Sequence, residues 1–337
     1  MRTSTTLATR RTTTGESKSV KNVAAPSAPT NTATKNGRTS LSYLPHLKST
    51  LSYTVLSSTP NSLCFVLTSP VSFANALRRT LLSGVPTVAI SDVFINTNDS
   101  VTHDEVLSHR LGMIPLDVNA DEFEAREEGE EPSDYNTIVF ILDVVGVRGG
   151  KNDVTSVMSK DLVFQPNGDQ AERLSKPPKP YHDDILITKL KPGQRVNIEC
   201  HAILGTGKKH ARFSPVTGCS YRMYPQVELL GRVFDHDADE LVVYEPGVFD
   251  MKKVTDVPGK TREAVVSRPL NSTMSRNYNL NPTLSKLVQI SRIENKFIFE
   301  FETEGIDPVK CLNDAIDVLI GKAEKLREGL SASERSE

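Results

Sequence analysis

The spacing of apolar side chains changes character along the chain, and each change predicts an element. Phe73, Leu77 and Leu81 recur at i, i+4 and i+8, with Ala74 and Ala76 beside them and Arg78 and Arg79 toward the edge of the stripe. That period predicts an amphipathic helix over residues 73–82, opened by Pro70 and Ser72 and stopped by Gly84. A helix of about three turns is marginal alone and needs a surface to pack on. Two surfaces are open to it: the sheet of its own domain, or a partner helix, which the small alanines would let approach closely. Runs rich in β-branched and other apolar residues at 51–56, 63–68 and 86–95 read as strands. Thr102 and Glu105 stand at the spacing of a capping box before a second helix, with Asp104 where the helix dipole favours negative charge.

Farther along, the pattern turns to short strands at 137–144, 161–165, 185–190 and 195–204, separated by Gly, Pro and Asp, which predicts an antiparallel β-rich module. A strongly acidic stretch from Asp117 to Asp134 precedes it and reads as a solvated boundary. Residues 287–293 and 296–302 are expected to form a hairpin. Asp307 and Pro308 then open the strongest helix, with Asp at the N-cap and Pro in the first turn. Leu312, Ile316, Leu319, Ala323 and Leu326 recur every three or four residues, Lys322, Lys325 and Arg327 suit the C-terminal end of the dipole, and Gly329 is the expected stop.

Composition adjusts this picture in three places. With 337 residues, 37% of them hydrophobic, the chain can build two compact domains, and no apolar run approaches the roughly 18 residues of a membrane span, so a soluble protein is expected. The net charge of −2 conceals a polarised chain: residues 1–48 carry eight basic side chains against Glu16, a local +7 that leaves −9 for the remainder. That Ser/Thr-rich stretch has almost no large apolar groups and reads as disordered. A solvated extension, contact with nucleic acid or an import receptor, and a mitochondrial transit peptide are the roles open to it, although no regular apolar face supports the last. Cys64, Cys200, Cys219 and Cys311 are isolated, without the C-x-x-C spacing of zinc or iron–sulfur sites, and are expected as reduced, buried thiols.

Three motifs raise enzymatic chemistry. Asp235-His-Asp-Ala-Asp239 sets carboxylates at alternate positions, as metal loops do, but Glu240 stands where a calcium loop needs Gly and Pro246 where it needs Glu, so an exposed acidic turn is expected. Gly205-Thr-Gly-Lys-Lys209 lacks the first Gly and the final Ser or Thr of a phosphate loop and reads as a turn displaying Lys208, Lys209 and His210. Tyr181-His-Asp-Asp184 precedes a strand and is expected to cap it. His103 and His109, six apart, fall on different helix faces. No cofactor, metal or catalytic residue is expected.

The ordered series of motifs resembles a family. Asn75-Ala-Leu-Arg-Arg79, Asp104-Glu-Val-Leu-Ser-His-Arg-Leu-Gly112, Ile114-Pro-Leu116, His182-Asp-Asp-Ile-Leu-Ile187, Lys191-Pro-Gly-Gln194, Gly205-Thr-Gly-Lys-Lys-His-Ala211, Phe213-Ser-Pro-Val216 and Ser220-Tyr-Arg222 are similar to the α-like subunits of cellular RNA polymerases, in particular the larger one shared by eukaryotic polymerases I and III. The absent cysteine cluster argues against the archaeal D-type and polymerase II-type members. The resemblance implies an α+β fold: a discontinuous dimerisation domain with an antiparallel sheet and two main helices (residues 49–116 and 265–330), an inserted β-rich domain (117–264), and tails at 1–48 and 331–337. It implies a non-catalytic subunit, nuclear and nucleolar, that pairs with a smaller α-like subunit as the assembly platform for the second-largest subunit, alongside the small shared subunits, with DNA met only through the complex and no membrane contact. Transcription of ribosomal, 5S and transfer RNA is the implied setting. Phe73, Ala74, Asn75, Ala76, Leu77, Leu81, Leu82, Leu312, Ile316, Leu319, Ala323 and Leu326 are expected at the dimer interface, and Arg78 and Arg79 at the large subunit. Glu302-Thr-Glu-Gly305 replaces the family's usual Glu-Ser-Thr-Gly, so Glu304 stands in place of a small hydroxyl residue. The other function classes are a metal-dependent hydrolase using Asp235, Asp237 and His182, and a nucleic-acid binding module acting through the basic tail.

Overall fold

The computed structural model describes residues 51–127, 129–148 and 153–334; the expectation for residues 1–48 lies outside them. In chain order the elements are β1 (Ser52–Ser58), β2 (Ser62–Thr68), α1 (Val71–Ser83), β3 (Pro86–Asn98), α2 (Asp104–Gly112), β4 (Leu116–Asp117), β5 (Thr137–Val145), β6 (Thr155–Met158), β7 (Val163–Gln165), α3 (Gln170–Arg173), β8 (Lys179–Pro180) and β9 (Leu186–Leu190). They continue with β10 (Arg195–Thr206), β11 (Val216–Leu229), α4 (Asp235–Tyr244), β12 (Phe249–Lys253), β13 (Arg262–Val266), α5 (Leu284–Leu287), β14 (Val288–Thr303) and α6 (Pro308–Glu334). This is the expected α+β class, with antiparallel sheets throughout. No helix among the described residues is long and apolar enough to cross a membrane.

Two four-stranded sheets organise the chain, one in the order β1-β2-β14-β11 and the other β3-β10-β5-β7. The first joins the two ends of the described sequence: Phe65 of β2 stands opposite Phe299 of β14. Along β14, Phe297, Phe299 and Phe301 point to one face, where they are 0–1% exposed, while Glu300 and Glu302 point to the other. Phe65 stacks on Phe299 at 5.2 Å between centroids, and Tyr221 meets Phe297 edge-on at 5.3 Å. With Leu63, Leu67, Ala74, Leu77, Leu81, Cys311 and Ala315 these rings form one core between sheet and helices. The second sheet closes a larger core of its own with Leu107 and Leu111 of α2, Val157 and Ile187. A third packs α4 on the β12–β13 ladder through Leu241, Ala238 and Ala264.

The sheets cut across the boundaries expected at residues 116 and 264. β3 pairs with β10 in the second sheet and α2 packs on that sheet's core, whereas β11 pairs with β14 in the first. Other local expectations change for identifiable reasons. Residues 287–293 and 296–302 do not fold back on each other. Both lie along β11, with a register shift at Met223/Tyr224 and Asn295 at φ 57°, so an Asn bulge replaces the hairpin turn. No capping box forms at Thr102; its hydroxyl lies 3.0 Å from that of Thr188, and Asn98 Nδ2 donates to Asp104 Oδ1 at 2.6 Å. The acidic stretch is anchored as well as solvated: Phe123 is buried beneath the Arg173 guanidinium, and Lys310 of α6 reaches Asn119 and Asp121 at 2.9 and 2.6 Å.

Candidate protein interface

α1 starts as its sequence dictates, with the Pro70 carbonyl accepting from Phe73 and Ala74, and ends at Gly84. Its apolar stripe turns inward. Ala74, Leu77 and Leu81 are 0–2% exposed against the sheet and α6, while Phe73 and Leu82 are half-buried at the margin of the same core. Of the two surfaces open to this helix, the sheet of its own chain takes the stripe. The expectation that Ala74, Leu77 and Leu81 contact a partner is therefore corrected, because no accessible surface is left on them. Asn75 and Ala76 are half-buried, and Asn75 Oδ1 accepts from Arg78 Nη2 at 3.0 Å. Arg79 is exposed.

α6 behaves differently. The Asp307 carboxylate accepts from the Lys310 N–H at 2.9 Å and Pro308 follows it, the cap and first turn read from the sequence. The helix passes through Gly329 and continues to Glu334, so Gly329 is not its stop. Cys311 and Ala315, which the apolar spacing does not single out, are 0% exposed; their small side chains let the helix sit close on the phenylalanine layer. Leu312 and Leu319 are half-buried against that core. Ile316 is 37% and Leu326 70% exposed, Ala323 is exposed, and Ile320, absent from the expected set, is 50% exposed. From Lys322 to Ala332 every residue is exposed, so the second half of the helix carries its leucine stripe into solvent.

Of the four thiols expected to be buried, Cys200 and Cys311 are, while Cys64 and Cys219 are only half-buried. Burial pushes Cys311 and Cys200 up to about 12 and Cys219 up to about 11, so all three stay protonated at neutral pH.

The quoted motifs assemble beside the helices. The Arg212 guanidinium donates to the carbonyls of Ile90 and Ser91 at 2.8 and 3.2 Å, and a Cβ on Gly112 would lie 3.0 Å from it, so glycine leaves the space the arginine occupies. Gly207 presses its backbone on the Leu82 carbonyl while the Lys208 N–H donates to Ser83, which joins the Gly-Thr-Gly turn to the end of α1. Lys208, Lys209 and His210 stay exposed there. Glu304 borders a cavity of about 360 Å³ lined also by Met113, Arg212 and Thr217.

Asp235-His-Asp-Ala-Asp239 begins α4 rather than an open turn. The Asp235 carboxylate accepts from the Thr261 hydroxyl and from the N–H groups of Thr261 and Arg262, which hold it down to about 2, and Asp239 pairs with Arg262 at 2.7 Å. His236, Asp237 and Glu240 lie within reach of one another, with Asn281 donating to both carboxylates. His182 is elsewhere, on the loop before β9, where its carbonyl accepts from Ser159 and its ring meets Tyr181, so no hydrolase constellation with Asp235 forms.

Residues 68–323 match the RNA polymerase Rpb3/Rpb11 dimerisation domain. DNA-directed RNA polymerases I and III subunit RPAC1 of Homo sapiens is 37% identical over 276 residues, 77% of this chain and 79% of that protein. The Saccharomyces cerevisiae protein of the same name is 35% identical over 274 residues, 76% and 80% of the two chains. DNA-directed RNA polymerase subunit Rpo3 of Methanobrevibacter smithii is 31% identical over 283 residues, 80% and 95% of the two.

Proposed function

The chain belongs to the RNA polymerase Rpb3/Rpb11 dimerisation family, and from that we propose that it is the larger α-like subunit of DNA-directed RNA polymerases I and III, a nuclear, non-catalytic assembly subunit. The observation that carries this reading is its 35–37% identity, over about three quarters of its length, to subunits named for both polymerases. The archaeal relative, at 31%, makes a D-type role the weaker alternative.

The physical basis of the role is α6. A solvent-exposed stripe with spacing of three and four residues is stable in water when a second helix covers it. Ile316, Ile320, Ala323 and Leu326 supply that stripe to a smaller α-like subunit, and an obligate interface of this kind buries roughly 2,000 Å² or more. Arg79, exposed on α1, and Arg78, half-buried beside it, are the side chains this reading assigns to the second-largest subunit. The small shared subunits complete the assembly, and DNA is met through it.

Affinity capture of the native chain, with mass spectrometry of its companions, tests the assignment: subunits of both polymerases I and III are expected. Recovery of polymerase II components, or of no polymerase, contradicts it. Ile320→Asp with Leu326→Asp is expected to remove the smaller α-like subunit from the captured set while the isolated chain melts as before. Retention of that subunit contradicts the proposed dimer seam.

A further inference from the structure

Three cavities line up where the two large cores meet. The first, of about 360 Å³, and the second, of about 550 Å³, share Val118, Ala120 and Ile306 as walls. The first and the third, of about 320 Å³, share Thr217 and Glu304. Together they make one cleft. On one side stand the end of β14 and the start of α6, and on the other residues 113–121 with β4. The sides are held at a fixed spacing. Gly305, at φ 80°, passes so close to the Leu116 carbonyl that a Cβ would lie 2.7 Å from it, and Lys310 of α6 reaches across to Asn119 and Asp121. At the third cavity the Tyr181 hydroxyl donates to Asn61 Oδ1 at 2.9 Å.

Floor and rim differ in chemistry. The floor is apolar, with Ala89, Ile114, Leu116 and Val216 buried beneath the first cavity. The rim is acidic: Asp121, Glu302, Glu304, Asp307, Asp314 and Asp317 line the three cavities against Lys176, Arg212 and Lys310. All three bases are already engaged. Lys310 pairs with Asp121, Lys176 with Asp117, and the Arg212 guanidinium donates to the carbonyls of Ile90 and Ser91. Among the described residues Glu302, Glu304, Asp314 and Asp317 form no ion pair. Asp314 and Asp317 follow Lys310 by four and seven residues and so lie on its flank of α6. Burial raises the Asp314 carboxyl above its ordinary value; Lys310 opposes that, while the like charges of Asp121 and Asp317 add to it. Negative charge is crowded here, and an incoming cation would relieve it.

We propose that this cleft docks an extended basic segment of another polypeptide, with apolar side chains on the floor and Lys or Arg side chains at the rim. Successive residues of an extended chain point to opposite sides, so one strand presents both chemistries at once. Each cavity has the volume that a small ligand fills, and three in series seat side chains one after another. Charge selects the occupant. Unpaired carboxylates attract a basic segment and set its register, whereas they repel the phosphates of nucleic acid and any acidic peptide. The proposal goes beyond the heterodimer and does not need it, because the cleft shares no residue with the exposed stripe of α6 or with Arg78 and Arg79.

The test uses the full chain and a fluorescent peptide of about eight residues alternating arginine and valine, read by anisotropy. Binding is expected, weakening about fivefold or more between about 50 and 300 mM salt, and a glutamate–valine peptide should not bind. An arginine–serine peptide should bind about fivefold more weakly, because it leaves the apolar floor uncovered. Glu304→Arg with Asp317→Arg is expected to weaken the arginine–valine peptide at least about tenfold, and Glu304→Gln with Asp314→Asn, which keeps the shapes, about threefold or more. Both variants should melt as the parent does, since Glu304 and Asp317 are exposed and Asp314 is half-buried. Glu124→Arg with Glu131→Arg makes the same change in net charge outside the cleft and should leave binding unaltered. No binding of the arginine–valine peptide, or an equal loss in that outside variant, overturns the cleft; equal affinity for the arginine–serine peptide overturns the floor. A photo-crosslinking residue at position 304 in the native assembly should capture a Lys- or Arg-bearing extended segment, and capture of an acidic or helical one, or of none, contradicts the proposed occupant. Failure of any of these leaves the subunit assignment untouched, because that is read from the captured companions.

Discussion

α1 and α6 lie on one face of one sheet and carry similar apolar repeats, yet one keeps its stripe inside the chain and the other divides it. α1 has 13 residues and α6 has 27, about 20 Å against 40 Å at 1.5 Å per residue. The part of the sheet that carries the phenylalanine core is short: β2 has seven residues and pairs with Lys296–Glu302 of β14, about 23 Å. A helix that matches its sheet can bury its whole stripe, as Ala74, Leu77 and Leu81 do. One that overhangs it has a second half with no intrachain surface, and a leucine repeat there has use only against another polypeptide. Length relative to the sheet, more than amphipathicity, separates a core helix from an interface helix in this fold.

The same substitution on the two helices gives the largest contrast. Leu77→Asp places a carboxylate where Leu77 is 2% exposed and is expected to cost about 4 kcal/mol or more, enough to unfold most of the chain in a urea titration followed by circular dichroism. Ile320→Asp, at a 50% exposed position, should stay within about 0.5 kcal/mol of the parent and act on partner binding alone. Equal destabilisation by both would erase the distinction between the helices.

A smaller effect is expected at the arginine pair of α1. Arg78→Ala with Arg79→Ala removes one hydrogen bond, to Asn75, and two charges. The heterodimer should form as before while recruitment of the second-largest subunit weakens, read as a lower yield of that subunit at increased salt. Parallel loss of both steps would mean that α1 faces the smaller partner after all.

The repeat along each helix was legible in the sequence, as were the Asp307-Pro308 start of α6, the strand character of residues 63–68 and 137–144, and the α+β class. Which side of a stripe is covered was not, because residues three or four apart look alike whether a sheet or solvent lies over them. Cys311 and Ala315 escaped notice for a related reason: a buried contact made by a small side chain leaves no hydrophobic signal. β11 was missed because Thr217, Gly218, Ser220, Arg222 and Pro225 interrupt any alternation, and its partner β14 lies some 70 residues away in sequence. Asn295 was read as a hairpin turn when it is a bulge; one residue at positive φ serves either, and only long-range pairing decides. Burial of Ala74, Leu77 and Leu81 needed β11 and β14 to be in place, which no local pattern encodes.

The smallest expected effect lies on the inner face of α6 and concerns its thiol. Cys311 ionises near 12 in the folded chain because burial disfavours the thiolate, against 9.0 ordinarily. At pH 8 about one molecule in ten thousand carries the thiolate, so a maleimide should leave Cys311 unlabelled with or without the partner. Ile320→Cys, on the outer flank, should label in the isolated chain and become protected in the heterodimer. The sign of the pH effect follows from the same shift: the unfolded chain ionises near 9 and the folded chain near 12, so the thiol's contribution to stability is intact below about pH 9 and is lost as the pH rises toward 12. Cys200 and Cys219, raised to about 12 and about 11, act in the same direction. Cys311→Ala should therefore flatten the alkaline limb of the stability profile without removing it. A parent and variant with superimposable alkaline limbs, or ready labelling of Cys311 at pH 8, would place that side chain outside the core and undo the division between the two faces of the helix.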